Sequence, residues 1–214
     1  ESLGIRASVA TSFRRPTINE LYRPFRVRND ITEANPSLRT ECFDTVDLGM
    51  EWRPARWFSC ELSLFHQWVD DVIANVPITD PDEAASLAGF VPEGGSVAQR
   101  RNVDQARVRG LSAVMRWKFS SQWSGNLKYL FSQSRFTKAV GQERLKGQSF
   151  PQSPEHSFIA GVRGRPLDRL RVFAEVEVGG SQFDDPMGDR RLGSWWTARL
   201  GGEFELAGNV TVHA

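Results

Sequence analysis

The sequence predicts an all-β fold, an antiparallel transmembrane β-barrel fragment of about nine strands, and three observations predict it. Apolar and polar residues alternate with period two in one segment after another. The connections alternate between tight turns and long polar loops. The tryptophans gather at the two ends of the segments, where amphipathic rings favour a membrane–water boundary.

Taken in order, the segments lie near 2–13, 41–53, 57–75, 101–118, 123–136, 155–165, 170–181, 191–206 and 209–214. In the second, Val46, Leu48, Met50 and Trp52 share one face and Thr45, Asp47, Gly49 and Glu51 the other. In the third, Phe58, Cys60, Leu62 and Leu64 oppose Ser59, Glu61 and Ser63. Val172, Ala174, Val176 and Val178 stand against Arg171, Glu175 and Glu177, and Trp196, Ala198, Leu200 and Phe204 against Thr197, Arg199 and Glu203. One face suits lipid, the other water.

Short connections fall at Pro54-Ala55-Arg56, Ser120-Ser121-Gln122, Pro166-Leu167-Asp168 and Ala207-Gly208; long ones fall near 14–40, 76–100, 137–154 and 182–190. Membrane barrels show this asymmetry, with short periplasmic turns and longer outer loops. Alternation alone fits a soluble sandwich or propeller equally well. Strand length favours the barrel, because segments of about 11 residues or more match a tilted bilayer crossing and soluble strands average ~5–6. Trp52 and Trp57 flank one short turn and Trp117 and Trp123 the next, while Trp68, Trp195 and Trp196 stand toward the long-loop ends.

Composition by itself would mislead. A hydrophobic fraction of 40% and a mean hydropathy of −0.41 look ordinary for a soluble chain, but a barrel strand offers only every second residue to lipid. No run approaches the ~18 apolar residues of a membrane helix. Glu1 to Arg6 lack the basic and apolar regions of a signal peptide, and Val210 to Ala214 stop within an alternation, so the chain is expected to be a fragment. A net charge of +1 gives no case for nucleic acid as a partner. Pairing two strands through the Pro54 turn sets opposed residues to sum to about 109. Cys42 then faces Trp68 and Cys60 faces Gly49, too far apart for a disulfide.

Several stretches resemble TonB-dependent outer-membrane receptors. Ser12 to Tyr22 is similar to the segment in which those receptors leave a strand for an outer loop. Asn35-Pro36-Ser37-Leu38-Arg39-Thr40-Glu41, running on to Leu48-Gly49-Met50-Glu51, resembles their entry to the next strand. Phe65 with Asp70-Asp71-Val72-Ile73 resembles a strand end. Arg101-Asn102 with Ala106 to Leu111 resembles a stretch usually followed by Glu, where Ser112 stands here. Gly147 to Ser157 resembles a Pro-rich loop-to-strand element. The blocks span about 3–165 in the family's order, and most of these residues shape loop–strand junctions.

The resemblance implies a barrel of about 22 strands, plugged by a separate N-terminal domain and driven through TonB. Residues 1–214 would be part of the barrel, with the plug, the TonB-contacting region and the closing strand lying elsewhere. It implies the cell outer membrane of a Gram-negative bacterium, with outer-membrane lipid and lipopolysaccharide as surroundings. A nutrient ligand such as a siderophore-bound metal or cobalamin is implied as cargo; a passive porin or other outer-membrane barrel is the alternative. A soluble binding protein would need a second layer over Leu48, Leu64, Val176 and Leu200.

No catalytic residue, metal site or cofactor is expected. His66, His156 and His213 lack metal-ligand spacing, and Asp70-Asp71 and Asp184-Asp185 have no catalytic partners. The candidate ligand contacts are Tyr22, Arg23, Phe25, Arg26 and Arg28 in the first long loop, with Arg135, Lys138, Arg190 and Arg191 in later ones. Aromatic rings beside arginines suit an anionic, ring-bearing chelate. They suit lipopolysaccharide phosphates, or plain solvation, equally well.

Overall fold

A computed structural model describes residues 2–207 and 210–213. Eight long strands and a short last one form one antiparallel run in chain order: β1 (Ser2–Arg14), β4 (Glu41–Ala55), β5 (Phe58–Pro77), β6 (Val97–Lys118), β7 (Trp123–Lys138), β8 (His156–Leu167), β9 (Leu170–Gly179), β12 (Trp195–Ala207) and β13 (Val210–His213). The expected strands are all present, most within a few residues of their predicted bounds. The ends of the last expected strand, at 209 and 214, and Gly208 of the last expected turn lie outside the described residues. The long loops carry structure that periodicity did not show: a helix α1 (Ile18–Tyr22), a hairpin of β2 (Phe25–Val27) and β3 (Asp30–Glu33), a helix α2 (Pro81–Ala88), a 3-10 turn at Glu143–Leu145, and a two-residue ladder of β10 (Gln182–Phe183) with β11 (Arg191–Leu192).

Register carries the two faces from strand to strand. One cross-sheet row reads Leu3, Trp52, Cys60, Met115, Leu127, Ala160, Val176 and Ala198; the next reads Ile5, Met50, Leu62, Ala113, Tyr129, Phe158, Val178 and Trp196. This is the lipid face. Leu48, Leu64, Val176 and Leu200 on it are 49%, 46%, 42% and 81% exposed, so no second layer among the described residues covers them. An uncovered apolar surface of this extent needs hydrocarbon rather than water against it. No helix among the described residues is long and apolar enough to cross a membrane; the crossing is made by strands.

The opposite face is polar and cross-linked. Asp47 accepts from the Ser63 hydroxyl and pairs with Arg6 at 3.8 Å, Gln67 donates to Thr45 at 3.0 Å, and Glu61 takes Arg116 at 2.5 Å. Further along, Arg199 meets Glu175 at 2.6 Å and Arg171 meets Glu203 at 3.3 Å. Gly110 stands in this face because Phe65 lies across it; a Cβ there would come within 2.1 Å of the Phe131 carbonyl oxygen.

One expectation needs correcting. Opposed residues of β4 and β5 sum to 112 rather than about 109, so Cys42 pairs with Asp70 and Cys60 with Trp52. The strands continue past Pro54 to the Ala55–Phe58 pair, and the ladder is irregular between Trp52 and Ala55. Proline has no N–H to give the ladder, so it marks the irregularity and Arg56 and Trp57 make the turn. Both cysteines are free.

Above the apolar band the sheet has a small core of its own. Val69, Val72, Val76, Val103, Ala106 and Phe136 pack with Ala139, Leu145 and Met187 from the loops. Phe136, Leu145 and Val76 are the largest fully buried side chains. This core fixes the outer ends of β5, β6 and β7 as a platform for the loops.

Candidate functional site at the outer loops

The first long loop is built outward from a salt-bridged anchor. Thr17 caps α1: its hydroxyl accepts from the Glu20 N–H at 3.2 Å while the Glu20 carboxylate accepts from the Thr17 N–H at 2.7 Å. Glu20 also takes Arg14 at 2.9 and 3.1 Å, and Arg14 Nε donates to the nearly buried Glu41. Glu41 in turn accepts from the Ile73 N–H at 2.7 Å. Burial alone would raise the Glu20 carboxyl, but the Arg14 and Thr17 hydrogen bonds outweigh it and hold the group below the usual range. The chain thus ties β1, β4, β5 and α1 into one piece.

The hairpin β2–β3 is docked by a second set of contacts. Ile31, Thr32 and Glu33 pair in parallel with Val97, Ala98 and Gln99, the outer end of β6. Asp30 accepts from the Ser96 hydroxyl at 2.7 Å and N–H at 3.1 Å; these bonds, with the Arg190 charge, hold its carboxyl below the usual range. Asn29 Nδ2 donates to the Glu93 carbonyl at 3.1 Å. Arg100 Nη1 donates to the carbonyls of Asn19 and Arg23, at 2.8 and 2.9 Å.

On this docked frame Tyr22 and Phe25 are 68% and 59% exposed, and Arg23, Arg26 and Arg28 are also open to solvent. Arg28 has φ 54° at the first turn position of a two-residue hairpin, where glycine is the favoured residue. A large side chain is therefore kept at the tip in spite of backbone strain of ~1–2 kcal/mol.

Arg190, on the loop after β9, adds the smallest of the contributions that lower the Asp30 carboxyl. It is held by Asp184 at 3.3 Å, and Asp185 accepts from the N–H groups of Met187, Asp189 and Arg190. Burial alone would raise the Asp185 carboxyl, but those three donors and the Arg190 charge bring it below the usual range. Arg191 donates to the Ser181 hydroxyl at 3.0 Å and Lys138 is exposed. Arg135 is engaged differently: it binds Ser149 and, at 2.5 Å, Glu155, which fastens the loop 139–155 onto β7. Of the paired carboxylates, Asp70 accepts from Gln105 at 2.9 Å and Asp71, with φ 58°, takes Arg39. Among the described residues there is no metal-holding cluster of His, Cys, Asp and Glu.

Sequence reading missed Arg100 and the Arg14–Glu20–Glu41 chain. The Thr17-Ile18-Asn19-Glu20 spacing was a legible capping signal; the pairing of β3 with β6 joins residues more than 60 apart and has no local signal.

A one-layer sheet with an uncovered apolar band, a polar inner face and structured loops at one end defines the wall of an outer-membrane β-barrel. The family model described as TonB dependent receptor-like, beta-barrel, matches residues 1–214, and the chain belongs to that family. It is located in the Gram-negative outer membrane. It is 24% identical over 183 residues to the iron-regulated outer membrane virulence protein of Vibrio cholerae, covering 84% of this chain and 27% of that protein. In fold it is similar to the copper transporter OprC, with a TM-score of 0.72 at 16% identity over 99% of this chain and 30% of the other. It is also similar to the ferric enterobactin receptor PfeA of Pseudomonas aeruginosa, with a TM-score of 0.71 at 18% identity over 100% of this chain and 32% of the other. The chain spans about a third or less of the length of these proteins.

Proposed function

We propose that the receptor to which this wall belongs imports a scarce nutrient, foremost a siderophore-bound metal, in a TonB-driven manner. Its plug and TonB-contacting region would lie in an N-terminal part outside this chain. The reading is carried by the docked first loop, which holds Tyr22, Phe25, Arg26 and the strained Arg28 out to solvent on a frame anchored to β1, β4, β5 and β6. Arg190, on a later outer loop, adds positive charge felt at Asp30. Guanidinium groups beside aromatic rings favour an anionic, ring-bearing chelate through charge-assisted hydrogen bonds and stacking. Several proteins of similar fold are siderophore receptors, PfeA with enterobactin among them, which supports this cargo class.

The test is uptake of a labelled ferric catecholate chelate by cells whose only such receptor is the full-length protein. Neutralising Arg26, Arg28 and Arg190 together is expected to lower binding at least tenfold, a loss of ~1.4 kcal/mol or more. Uptake that persists without TonB, or steady ion conductance of the full-length protein in a planar bilayer, would favour a passive porin and overturn the proposal.

A further inference from the structure

The cross-sheet rows on the lipid face change character at different heights on different strands. The row Ala7, Leu48, Leu64, Leu111, Phe131 stays apolar until His156. The next row outward reads Val9, Val46, His66, Arg109, Gln133, and the one beyond it Thr11, Asp44, Trp68, Arg107, Arg135. Strands tilted by ~35–45° give this pattern, because a row perpendicular to the strands then climbs out of the hydrocarbon as it crosses the sheet. Arg107 and Arg109 therefore sit on the outward side at the level where the bilayer gives way to headgroups, on the long-loop end of the wall. Cations on the lipid face cost ~0–1 kcal/mol at that depth and several times more at the midplane.

These two arginines differ from most of those of the inner face, Arg163 excepted. Arg6, Arg116, Arg171 and Arg199 each have a carboxylate within 4.0 Å. Among the described residues Arg107 and Arg109 have none; Arg109 donates only to the neutral Gln133 Oε1, at 2.7 and 3.0 Å. The acidic groups nearby on the same side make their contacts elsewhere, and none lies within 4.0 Å of either guanidinium. Glu155 holds Arg135, Asp70 accepts from Gln105, and Asp44 accepts from Thr11 at 2.7 Å. Aromatic rings border the pair on two sides: Trp68, tilted against His66 at 4.2 Å between centroids, and Phe131 against His156 at 5.2 Å. The His66 Nε2 atom is buried without a hydrogen-bond partner. Two guanidinium groups without a carboxylate within ion-pair distance, bordered by aromatic rings at the outer-leaflet boundary, present a surface suited to phosphate oxygens.

We propose that Arg107 and Arg109 bind the phosphate groups of the outer-leaflet glycolipid, the lipid A portion of lipopolysaccharide, on the outside of the barrel wall. His66 and Trp68 form its edge against the sugar and acyl region. The site is separate from the loop surface assigned to cargo and rests only on the chain's place in the outer-membrane wall.

The test uses the full-length receptor, folded in detergent and incubated with bis-phosphorylated lipid A, dephosphorylated lipid A or inorganic phosphate, with bound species read by native mass spectrometry. Wild type is expected to retain bis-phosphorylated lipid A, and the double variant R107Q/R109Q to retain about tenfold less, as loss of two charge-assisted contacts implies. R199Q, on the inner face, serves as the matched control and is expected to retain as much as wild type. Heat-modifiable gel mobility certifies that each variant is folded. Equal retention by R107Q/R109Q overturns the proposal, as does wild-type retention of dephosphorylated lipid A at the same level. Full competition by inorganic phosphate at millimolar concentration also overturns it, since the site would then be for a free anion. Chelate uptake by the double variant is measured in parallel, so loss of the lipid site and loss of the cargo site are told apart.

Discussion

Replacing Glu41 by alanine should release the first outer loop without unfolding the wall. Glu41 is 5% exposed and holds two donors, the Ile73 N–H at 2.7 Å and Arg14 Nε. Removing it strands the Ile73 N–H at a bend where Asp71 already has a positive φ, at a cost of ~1–3 kcal/mol for an unsatisfied amide. The Arg14 contribution is smaller, because that side chain is 41% exposed and keeps Glu20; ~0.5 kcal/mol is a reasonable share. The sum, about 2 kcal/mol, corresponds to ~30-fold faster opening of the region. Hydrogen exchange of the full-length receptor in detergent reads this directly, in peptides covering Thr17–Tyr22 and Asp71–Ile73. Glu41→Gln keeps an acceptor for Ile73 and loses the charge and the acceptor for Arg14, which retains Glu20, so its exchange should rise less than ~5-fold. Folded Glu41→Ala protein with unchanged exchange in both peptides would refute the assigned network.

Three further outcomes follow from the same geometry. Gly110→Ala drives a Cβ to 2.1 Å from the Phe131 carbonyl, which no side-chain rotation relieves; an overpacking cost of ~1–3 kcal/mol should show as a lower midpoint of heat-modifiability. Asp185 has its carboxyl held below the usual range, so its stabilisation of the 182–192 loop is complete above the unfolded value of about 3.9 and lost as pH falls through the lower folded value. Proteolysis of that loop should therefore accelerate only in acid, and Asp185→Asn should lose that pH dependence. Cys60 lies in the apolar row between Trp52 and Met115, so in vesicles it should react with a lipid-soluble maleimide and resist a membrane-impermeant one; ready labelling by the impermeant reagent contradicts the face assignment.

Strands were legible because each writes its two environments into alternate residues. Leu62 and Leu64 against Glu61 and Ser63 need no partner strand to be read as two-faced. Register was not legible to better than three residues, since it depends on where the turn tightens, and Pro54 marks an irregular step rather than the turn. The loop helices were not read, although caps announce both of them, at Thr17 with Glu20 and at Asp80 before Pro81. The candidate arginines of the first loop could be named from crowding, whereas Arg100 and Asn35 could not, because what they hold lies more than 60 residues away in the chain.

The distribution of arginine ties these observations together. Inside the wall each of Arg6, Arg116, Arg171 and Arg199 meets a carboxylate across one strand spacing, which lets a polar face remain compact beside low-dielectric surroundings. At the outer loops Arg14 and Arg135 are likewise spent on anchoring. Among the arginines without a carboxylate partner, two groups stand where an anion from outside can reach them: the exposed loop tips around Arg26 and Arg28, and Arg107 with Arg109 on the lipid side. The two groups differ in what can reach them. A soluble anion arriving from outside meets the loop tips first. The outward pair is reached from within the outer leaflet, where the anion at that depth is a lipid phosphate. The same side chain therefore serves cohesion, capture and membrane seating according to which face the strand parity assigns it, and a substitution should be judged first by that parity.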